Sequence, residues 1–89
     1  MNSFLSQEFL VLYRALPEQV REQAKRTYEL FQRDPRHPSL RFRQVHPTRP
    51  IFSVRVGLHY RAVGILEGGD ISWFWLGSHA EYDRLLNQL

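Results

Sequence analysis

The sequence contains no cysteine, a single lysine and no long apolar run, and each absence excludes a class of protein. Without cysteine there are no disulfide bonds, thiolate metal ligands or cysteine nucleophiles. No apolar stretch approaches the roughly 20 residues that cross a bilayer, and the first residues lack the pattern of a signal peptide. We therefore expect a cytoplasmic protein with no membrane partner.

The length and composition predict one small folded domain. The chain has 89 residues, of which 43% are hydrophobic and 13% aromatic. That content is too apolar for a disordered chain, and a chain this short builds one modest core. We expect a single domain over residues 1–89.

The positive charge is concentrated in the middle of the chain. Eleven of the twelve basic residues are arginine, whose planar fork binds phosphates and carboxylates through paired hydrogen bonds. Residues 35–66 hold six arginines and no acid, whereas residues 67–89 hold four acids and one arginine. An acid-free basic run favours an anionic partner, and nucleic acid more than a membrane because no amphipathic helix lies in it. The alternative is an ordinary solvated basic surface.

Residues before Pro38 carry helical periodicity. Apolar residues recur every three or four positions in a first segment from Ser3 to Arg14, with Ser3 or Ser6 as a cap. A second segment opens at Pro17 and ends at Asp34, which precedes a proline. Because the join is short, we predict an antiparallel helical hairpin.

Residues after Pro38 alternate as strands. We predict strands over 40–43, 52–56, 60–66 and 71–77, hairpin turns at 57–59 and 67–70, and a helix over 80–89. The predicted fold is α+β: an N-terminal antiparallel helical hairpin packed on a four-stranded, mostly antiparallel sheet, with a short C-terminal helix.

The first predicted hairpin brings two arginines together. A three-residue loop at 57–59 places Arg55 directly opposite Arg61, and opposed like charges destabilise a sheet. Two guanidiniums on one face suit a phosphate or a dianionic transition state. The alternative is that Arg55 extends into solvent while Arg61 pairs with Glu81 or Asp83.

His79 and Tyr82 follow the last predicted strand. Histidine can donate or accept a proton near neutral pH, although a helix-capping histidine is a common alternative. Pairing through the 67–70 turn sets Arg61 against Leu76, which sends His79 to the opposite face. We therefore expect the strand to end or bulge near Gly77.

Other chemistries find no support in the residue pattern. No His, Asp or Glu set has metal-ligand spacing, and no glycine-rich phosphate loop is present. We expect neither a metal nor a cofactor. Trp73 and Trp75 lie within an apolar run, so we assign them to the core in preference to base stacking.

Four segments of the chain together resemble the RelE/ParE superfamily of type II toxin–antitoxin toxins, in its RelE-like branch. After the helical hairpin come Asp34–Leu40, Phe52–Val56 with Tyr60-Arg61, and Trp75–Tyr82. The resemblance covers nearly the whole chain and implies the predicted fold. Many members begin with an edge strand, whereas here we predict that the chain starts in the helix.

The resemblance also implies an activity: metal-independent cutting of mRNA, mostly on the ribosome, by attack of the RNA 2′-hydroxyl on the adjacent phosphate. Arg55 and Arg61 match the positions that stabilise the phosphorane, and His79 matches the general acid/base position. Tyr82 would orient the substrate or assist proton transfer. Contacts with RNA or ribosome would come from Arg41, Arg43 and His46, with His59 as a fourth RNA-binding candidate. Because arginine does not deprotonate, the base is His79 or a histidine such as His59.

Two other functions remain open at the level of sequence. One is a ParE-like inhibitor of DNA gyrase without chemistry of its own, acting through the helical hairpin. The other is a non-toxic homologue that keeps only the ability to bind an antitoxin. An antitoxin with an acidic segment is the expected partner under every one of these hypotheses.

Overall fold

The computed structural model describes all residues, 1–89, and has an α+β fold of three helices and a five-stranded sheet. The helices are α1 (Gln7–Arg14), α2 (Glu18–Arg33) and α3 (His79–Gln88). The strands are β1 (Asn2–Leu5), β2 (Arg43–Gln44), β3 (Ile51–Val56), β4 (Tyr60–Glu67) and β5 (Asp70–Ser78). The strand order is β1-β5-β4-β3-β2, with β1 parallel to β5 and the other pairs antiparallel. None of the helices has the length and apolarity needed to span a membrane.

The N-terminus corrects the prediction that the chain starts in a helix and that the sheet has four strands. Residues 2–5 form β1 beside β5, and α1 begins only after Ser6, whose side chain accepts a hydrogen bond from the Phe9 amide. The strand is anchored by Ser3, whose Oγ accepts a hydrogen bond of 3.0 Å from the indole of the buried Trp73. A partner 70 residues away decides this conformation, so local periodicity could not show it.

Residues 40–43, which the sequence predicts as a strand, are mostly not extended in the structure. Pro38–Leu40 form a 3₁₀ turn anchored by Leu40, which is 1% exposed. Arg41 then takes a left-handed backbone conformation, with φ 47° and ψ 45°. That conformation interrupts the extended chain, and β2 is confined to two residues, Arg43 and Gln44.

The sheet is covered by helices on both faces. One face packs against α1 and α2 in the main core, which includes Phe9, Phe31, Leu40, Val54 and Trp73. The other face carries a smaller cluster of Ile51, Val63 and Tyr82, against which the end of α3 packs. Because successive strand residues point to opposite faces, Val54 and its neighbours Ser53 and Arg55 belong to different faces.

A bulge in β5 sets the register of the sheet face that carries Arg61. Gly64 pairs with Trp73 and Val63 with Trp75, so Phe74 is the extra residue. Phe74 and Trp75 consequently pack against the same small cluster. The predicted pairing of Arg61 with Leu76 is therefore wrong, and Arg61 lies opposite Gly77. The expected bulge exists, but three residues before Gly77.

Gly64 makes this bulge possible. A Cβ on Gly64 would lie 2.9 Å from Cε3 of Trp73 and 3.0 Å from the carbonyl oxygen of Ser72. Only glycine tolerates so close an approach of the neighbouring strand. The residues of β5 beyond the bulge, and the helix that follows them, therefore take their positions from a glycine in β4.

Candidate functional site

Arg55 and Arg61 lie directly opposite each other on β3 and β4, as the three-residue loop predicts. The Arg55 Nε donates a hydrogen bond to the carbonyl of Gly57 (3.1 Å), and the Arg61 Nη1 donates one to the carbonyl of Tyr60 (2.7 Å). Neither arginine forms an ion pair with Glu81 or Asp83. The single ion pair of the chain joins His79 and Asp83. Two uncompensated guanidiniums therefore occupy neighbouring strands.

Two further arginines contribute to the same positive surface. Arg43 pairs with Ser53 in β2 and β3, so alternation places it on the same side as Ser53 and the opposite side from Val54. Partial burial, followed by the charge of Arg55, lowers the pKa of Arg61, and the charges of Arg41 and Arg43 lower it further. Tyr82 acts on this pKa in the opposite direction. We call the surface formed by Arg41, Arg43, Arg55, Arg61 and His79 the basic face.

His79 is the first residue of α3 and stands at the end of β5. Ser78 is still extended, with φ −69° and ψ 160°, and the His79 amide donates to the carbonyl of His59 (2.8 Å). This bond extends the pairing of β4 with β5 by one residue, so His59 and His79 lie directly across from each other. The His79 ring packs edge-on against the Tyr82 ring, with centroids 5.8 Å apart. The bulge thus brings His79 onto the same face as Arg61.

Asp83 belongs to this cluster, although the sequence suggests it only as an ion-pair partner for Arg61. Its Oδ2 lies 3.3 Å from Nδ1 of His79, and both side chains are more than half exposed. The spacing of four residues on one helix is the signal that could have revealed it. A carboxylate at Nδ1 holds the proton there and leaves Nε2 free to exchange a proton with a ligand.

Tyr82 lies beneath His79 and is only 5% exposed. Its hydroxyl donates to Oγ of the buried Ser53 (3.1 Å), and its ring lies 6.4 Å from that of the half-buried Trp75. The hydroxyl of Tyr82 is therefore directed into the fold, and its ring supports the His79 ring from below.

The four residues expected to contact RNA differ in whether their side chains are free to bind a ligand. Arg41, Arg43 and His59 are exposed. His46 instead accepts hydrogen bonds at Nδ1 from the amides of Thr48 and Arg49, and its Nε2 lies 3.1 Å from the carbonyl of Leu89. His46 ties the loop before β3 to the end of α3, and both ring nitrogens are occupied.

The start of α3 is stabilised by a reciprocal cap. Ser78 Oγ accepts from the Glu81 amide, and Glu81 Oε1 accepts from both the hydroxyl (2.9 Å) and the amide of Ser78. These hydrogen bonds from Ser78 lower the pKa of Glu81. The cap fixes His79, which is the next residue. No group of three or more His, Asp or Glu side chains is placed to hold a metal ion.

Solved structures that align with this chain include toxins and antitoxin–toxin complexes. A chain of the RelB–RelE antitoxin–toxin complex from Methanococcus jannaschii aligns with a TM-score of 0.72 at 18% identity, over 91% of this chain and 96% of that one. YafQ from Escherichia coli BL21(DE3) gives 0.72 at 10% identity, over 91% and 96%. The isolated E. coli RelE toxin gives 0.62 at 18% identity, over 99% and 98%. At these identities the likeness establishes the fold.

The family is established by the sequence itself. Among proteins with curated descriptions, none gives a significant match. The sequence model of the ParE-like toxin domain matches residues 18–84, which run from the first residue of α2 into α3 and include Arg55, Arg61 and His79. The chain belongs to the ParE-like toxin domain family, within the RelE/ParE superfamily of toxins.

Proposed function

We propose that this chain is the toxin of a type II toxin–antitoxin system and that it cleaves mRNA on its basic face. The observation that carries the proposal is the pairing of Arg55 with Arg61, without any carboxylate partner, on the face where His79 stands. A structural arginine pair would gain stability from an acidic neighbour. Two positive charges held apart from acids instead suit an anion that carries two negative charges.

The reaction proposed is transfer of the phosphate within the RNA strand. The 2′-oxygen attacks the adjacent phosphorus and loses its proton, while the bond from phosphorus to the 5′-oxygen breaks and that oxygen gains a proton. The products are a 2′,3′-cyclic phosphate and a free 5′-hydroxyl. Negative charge grows on the two non-bridging oxygens, which Arg55 and Arg61 stabilise through their free N–H groups.

The two proton transfers need groups that can change protonation. Arginine cannot serve, so we assign the transfers to His79 at Nε2 and to His59, which its backbone places opposite His79. Asp83 orients the His79 ring, as a carboxylate does for the histidine of hydrolase triads. Tyr82 acts as a positioning residue beneath that ring.

Arg41 and Arg43 extend the proposed contact along the RNA backbone. Both are exposed and close enough for their charges to act on Arg61. We propose ribosome-bound mRNA as the natural substrate, with this basic surface facing RNA on either side of the scissile phosphate. His46 has no place in this proposal because its ring nitrogens serve the fold.

A cognate antitoxin is the proposed partner. The M. jannaschii and E. coli structures that share the fold include RelB–RelE antitoxin–toxin complexes. The basic face offers an acidic protein segment the same unpaired arginines that it offers a phosphate. Binding there would neutralise the toxin by covering the site.

The test is expression of the wild type, His79→Ala and the matched control Asn87→Ala, an exposed position on the same helix. We expect growth arrest and new 5′-hydroxyl ends in mRNA for the wild type and the control, and neither for His79→Ala. Circular dichroism and thermal unfolding must show that His79→Ala is folded. A folded, fully toxic His79→Ala contradicts the proposal.

The family match itself supports a second candidate, a ParE-like inhibitor of DNA gyrase. In that case Arg55 and His79 would be incidental to toxicity. Growth arrest with DNA damage and intact messages, unchanged by His79→Ala, would establish it. Absence of arrest would leave a homologue that only binds its antitoxin.

A further inference from the structure

A cavity of about 530 Å³ lies where the segment after α2 meets β3 and β4, outside the set of residues assigned to the reaction. Its volume is within the usual range for small-molecule sites, about 300–1,000 Å³. Nine residues line it, among them the cationic or titratable side chains of Arg36, His37 and Arg41 and four hydrophobic side chains: Met1, Phe42, Phe52 and Leu66. No acidic residue lines it.

The apolar part of the cavity is a fixed aromatic surface. The rings of Phe42 and Phe52 lie 5.0 Å apart at 32°, and Phe42 meets the buried Phe31 edge-on at 5.0 Å. Both Phe42 and Phe52 remain partly exposed. Partly exposed rings that are held by the core are the surfaces on which unpaired bases stack.

The polar part offers N–H donors without competition. His37 accepts at Nδ1 from the amide and hydroxyl of Ser39, which leaves the Nε2–H free to donate. The Arg36 amide bonds to Oδ1 of Asp34, which fixes the turn, while its guanidinium pairs with no acid. Free donors beside an aromatic surface match the two halves of a nucleotide.

Arg41 connects this cavity with the basic face. It lines the cavity, and its charge also acts on Arg61. Its left-handed backbone, φ 47°, is strained for a residue other than glycine. Glycine or asparagine would relieve that strain. Strained non-glycine residues cluster at functional sites, so the strain at Arg41 points to a task for its guanidinium.

We propose that the cavity binds one nucleotide of the RNA strand beyond the cleavage site, with its base against Phe42 and Phe52 and its phosphate at Arg36 and Arg41. The inference rests on the proposed function in taking RNA as the ligand. An acidic peptide would use the arginines but would leave the aromatic surface without a matching flat group, so the observations favour RNA.

The experiment measures binding of uncleavable 2′-O-methyl RNA by fluorescence anisotropy, with a strand of about three nucleotides and one of about ten. The proteins are the wild type, Arg36→Gln and the control Arg26→Gln, an exposed arginine of α2 outside the cavity. For Arg36→Gln we expect about 5- to 10-fold weaker binding of the long strand, with a salt slope lower by about one. Binding of the short strand and the control variant should match the wild type.

Equal losses on both strands, or a loss in Arg26→Gln as large as in Arg36→Gln, would overturn the inference. A second variant, Arg41→Gly, removes the guanidinium and relieves the strain. We expect it to bind the long strand more weakly while its melting temperature rises or stays unchanged. If it is destabilised instead, Arg41 has a structural role and the strain argument fails.

A further readout separates ligand classes and separates this inference from the proposed function. Adenosine monophosphate should shift the NMR signals of Phe52 and Leu66 in the wild type but not in Arg36→Gln. If Arg36→Gln weakened the binding of poly-glutamate but left RNA binding unchanged, the ligand would be an acidic protein segment and the RNA assignment would be overturned. A wild type that binds long strands by this cavity and cuts no RNA contradicts only the proposed function. RNA cleavage with affinity independent of strand length contradicts only the cavity.

Discussion

Arg55 and Arg61 face each other across β3 and β4 with no carboxylate paired to either. Opposed like charges destabilise a sheet by about 0.2–1 kcal/mol, and partial burial together with Arg55 already lowers the pKa of Arg61. The fold maintains this repulsion at the position where the proposed substrate brings its charge. Sites that are costly to stability and useful to activity are a common compromise in enzymes.

The repulsion predicts a specific pattern in a double-mutant cycle of Arg55→Gln and Arg61→Gln. Each single substitution removes the whole repulsion, so the double variant should be less stable than the sum of the two single effects predicts. We expect a coupling of about 0.5 kcal/mol in urea unfolding at low ionic strength. It should vanish near 1 M salt, where the Debye length is about 3 Å. Additive effects at low salt would show that the two charges do not interact.

Asp83 is predicted to act through His79. His79→Ala should lower kcat by about 10²–10⁴-fold, the usual contribution of general acid–base catalysis. Asp83→Ala should lower kcat by about 10-fold or more with little change in KM, because the ring loses its orientation but keeps its proton-transfer atom. The control Asn87→Ala should be unaffected.

A readout independent of activity tests this positioning role. Nitrogen NMR of His79 should show the neutral ring protonated at Nδ1 in the wild type and a mixture of tautomers in Asp83→Ala. An unchanged tautomer together with lost activity would mean that Asp83 acts on the substrate directly.

The contrast between the Arg55–Arg61 pair and β1 shows what the sequence can reveal about this fold. The arginine pairing depends on a three-residue loop, a local feature, and was predicted correctly. β1 depends on β5 and on the hydrogen bond from Trp73 to Ser3, across 70 positions. The Leu5–Phe9 spacing fits a helical stripe equally well, so the local signal favoured the wrong element.

The candidate site also combines features that local sequence predicts with features that depend on distant contacts. The residue pattern singles out Arg55, Arg61 and His79 as a set, and the structure places them on one face. The reason they share that face, the bulge at Phe74, depends on packing between Gly64 and Trp73 that no spacing rule contains. The buried hydroxyl of Tyr82 and the occupied ring of His46 likewise follow from contacts that are distant in sequence.

The bulge makes Gly64→Ala a sensitive test of the site's geometry. The added methyl group would meet Trp73 at 2.9 Å and the backbone of Ser72 at 3.0 Å. Overpacking of this kind costs about 1–3 kcal/mol, measured by urea unfolding. RNA cleavage should fall further than stability alone explains, because the displaced β5 carries His79.

Gly68→Ala is the matched control for this substitution. Gly68 lies in the β4–β5 turn with a positive φ of 57°, and a methyl group added there would meet no atom within 4 Å. We expect a loss of about 1 kcal/mol from backbone strain with cleavage of the folded protein unchanged. Equal losses of cleavage in both variants would show that the bulge does not set the site.

Ser3 is predicted to matter for stability although it lies near the start of the chain. Ser3→Ala would leave the indole N–H of Trp73, a side chain 2% exposed, without its partner at 3.0 Å. An unsatisfied buried donor costs about 1–3 kcal/mol, measured as a drop in the free energy of unfolding. The exposed Ser72→Ala on β5 is the control. Equal stability of the two variants would show that the hydrogen bond between Trp73 and Ser3 contributes little.

Glu81 is predicted to make the free energy of unfolding depend on pH in the acidic range. Hydrogen bonds from Ser78 lower its pKa in the folded state, while the unfolded value is about 4.3. The folded state therefore binds fewer protons, so the contribution is fully present above about pH 5 and is lost as the pH falls through the folded pKa. The stability difference between wild type and Glu81→Gln should shrink below about pH 4 in urea unfolding.

Two further variants serve as controls. The exposed Glu29→Gln should show no such trend. In Ser78→Ala, NMR titration should show the pKa of Glu81 closer to its ordinary value. A stability difference independent of pH would show that the cap does not act through the charge of Glu81, and that its hydrogen bonds with Ser78 act without it.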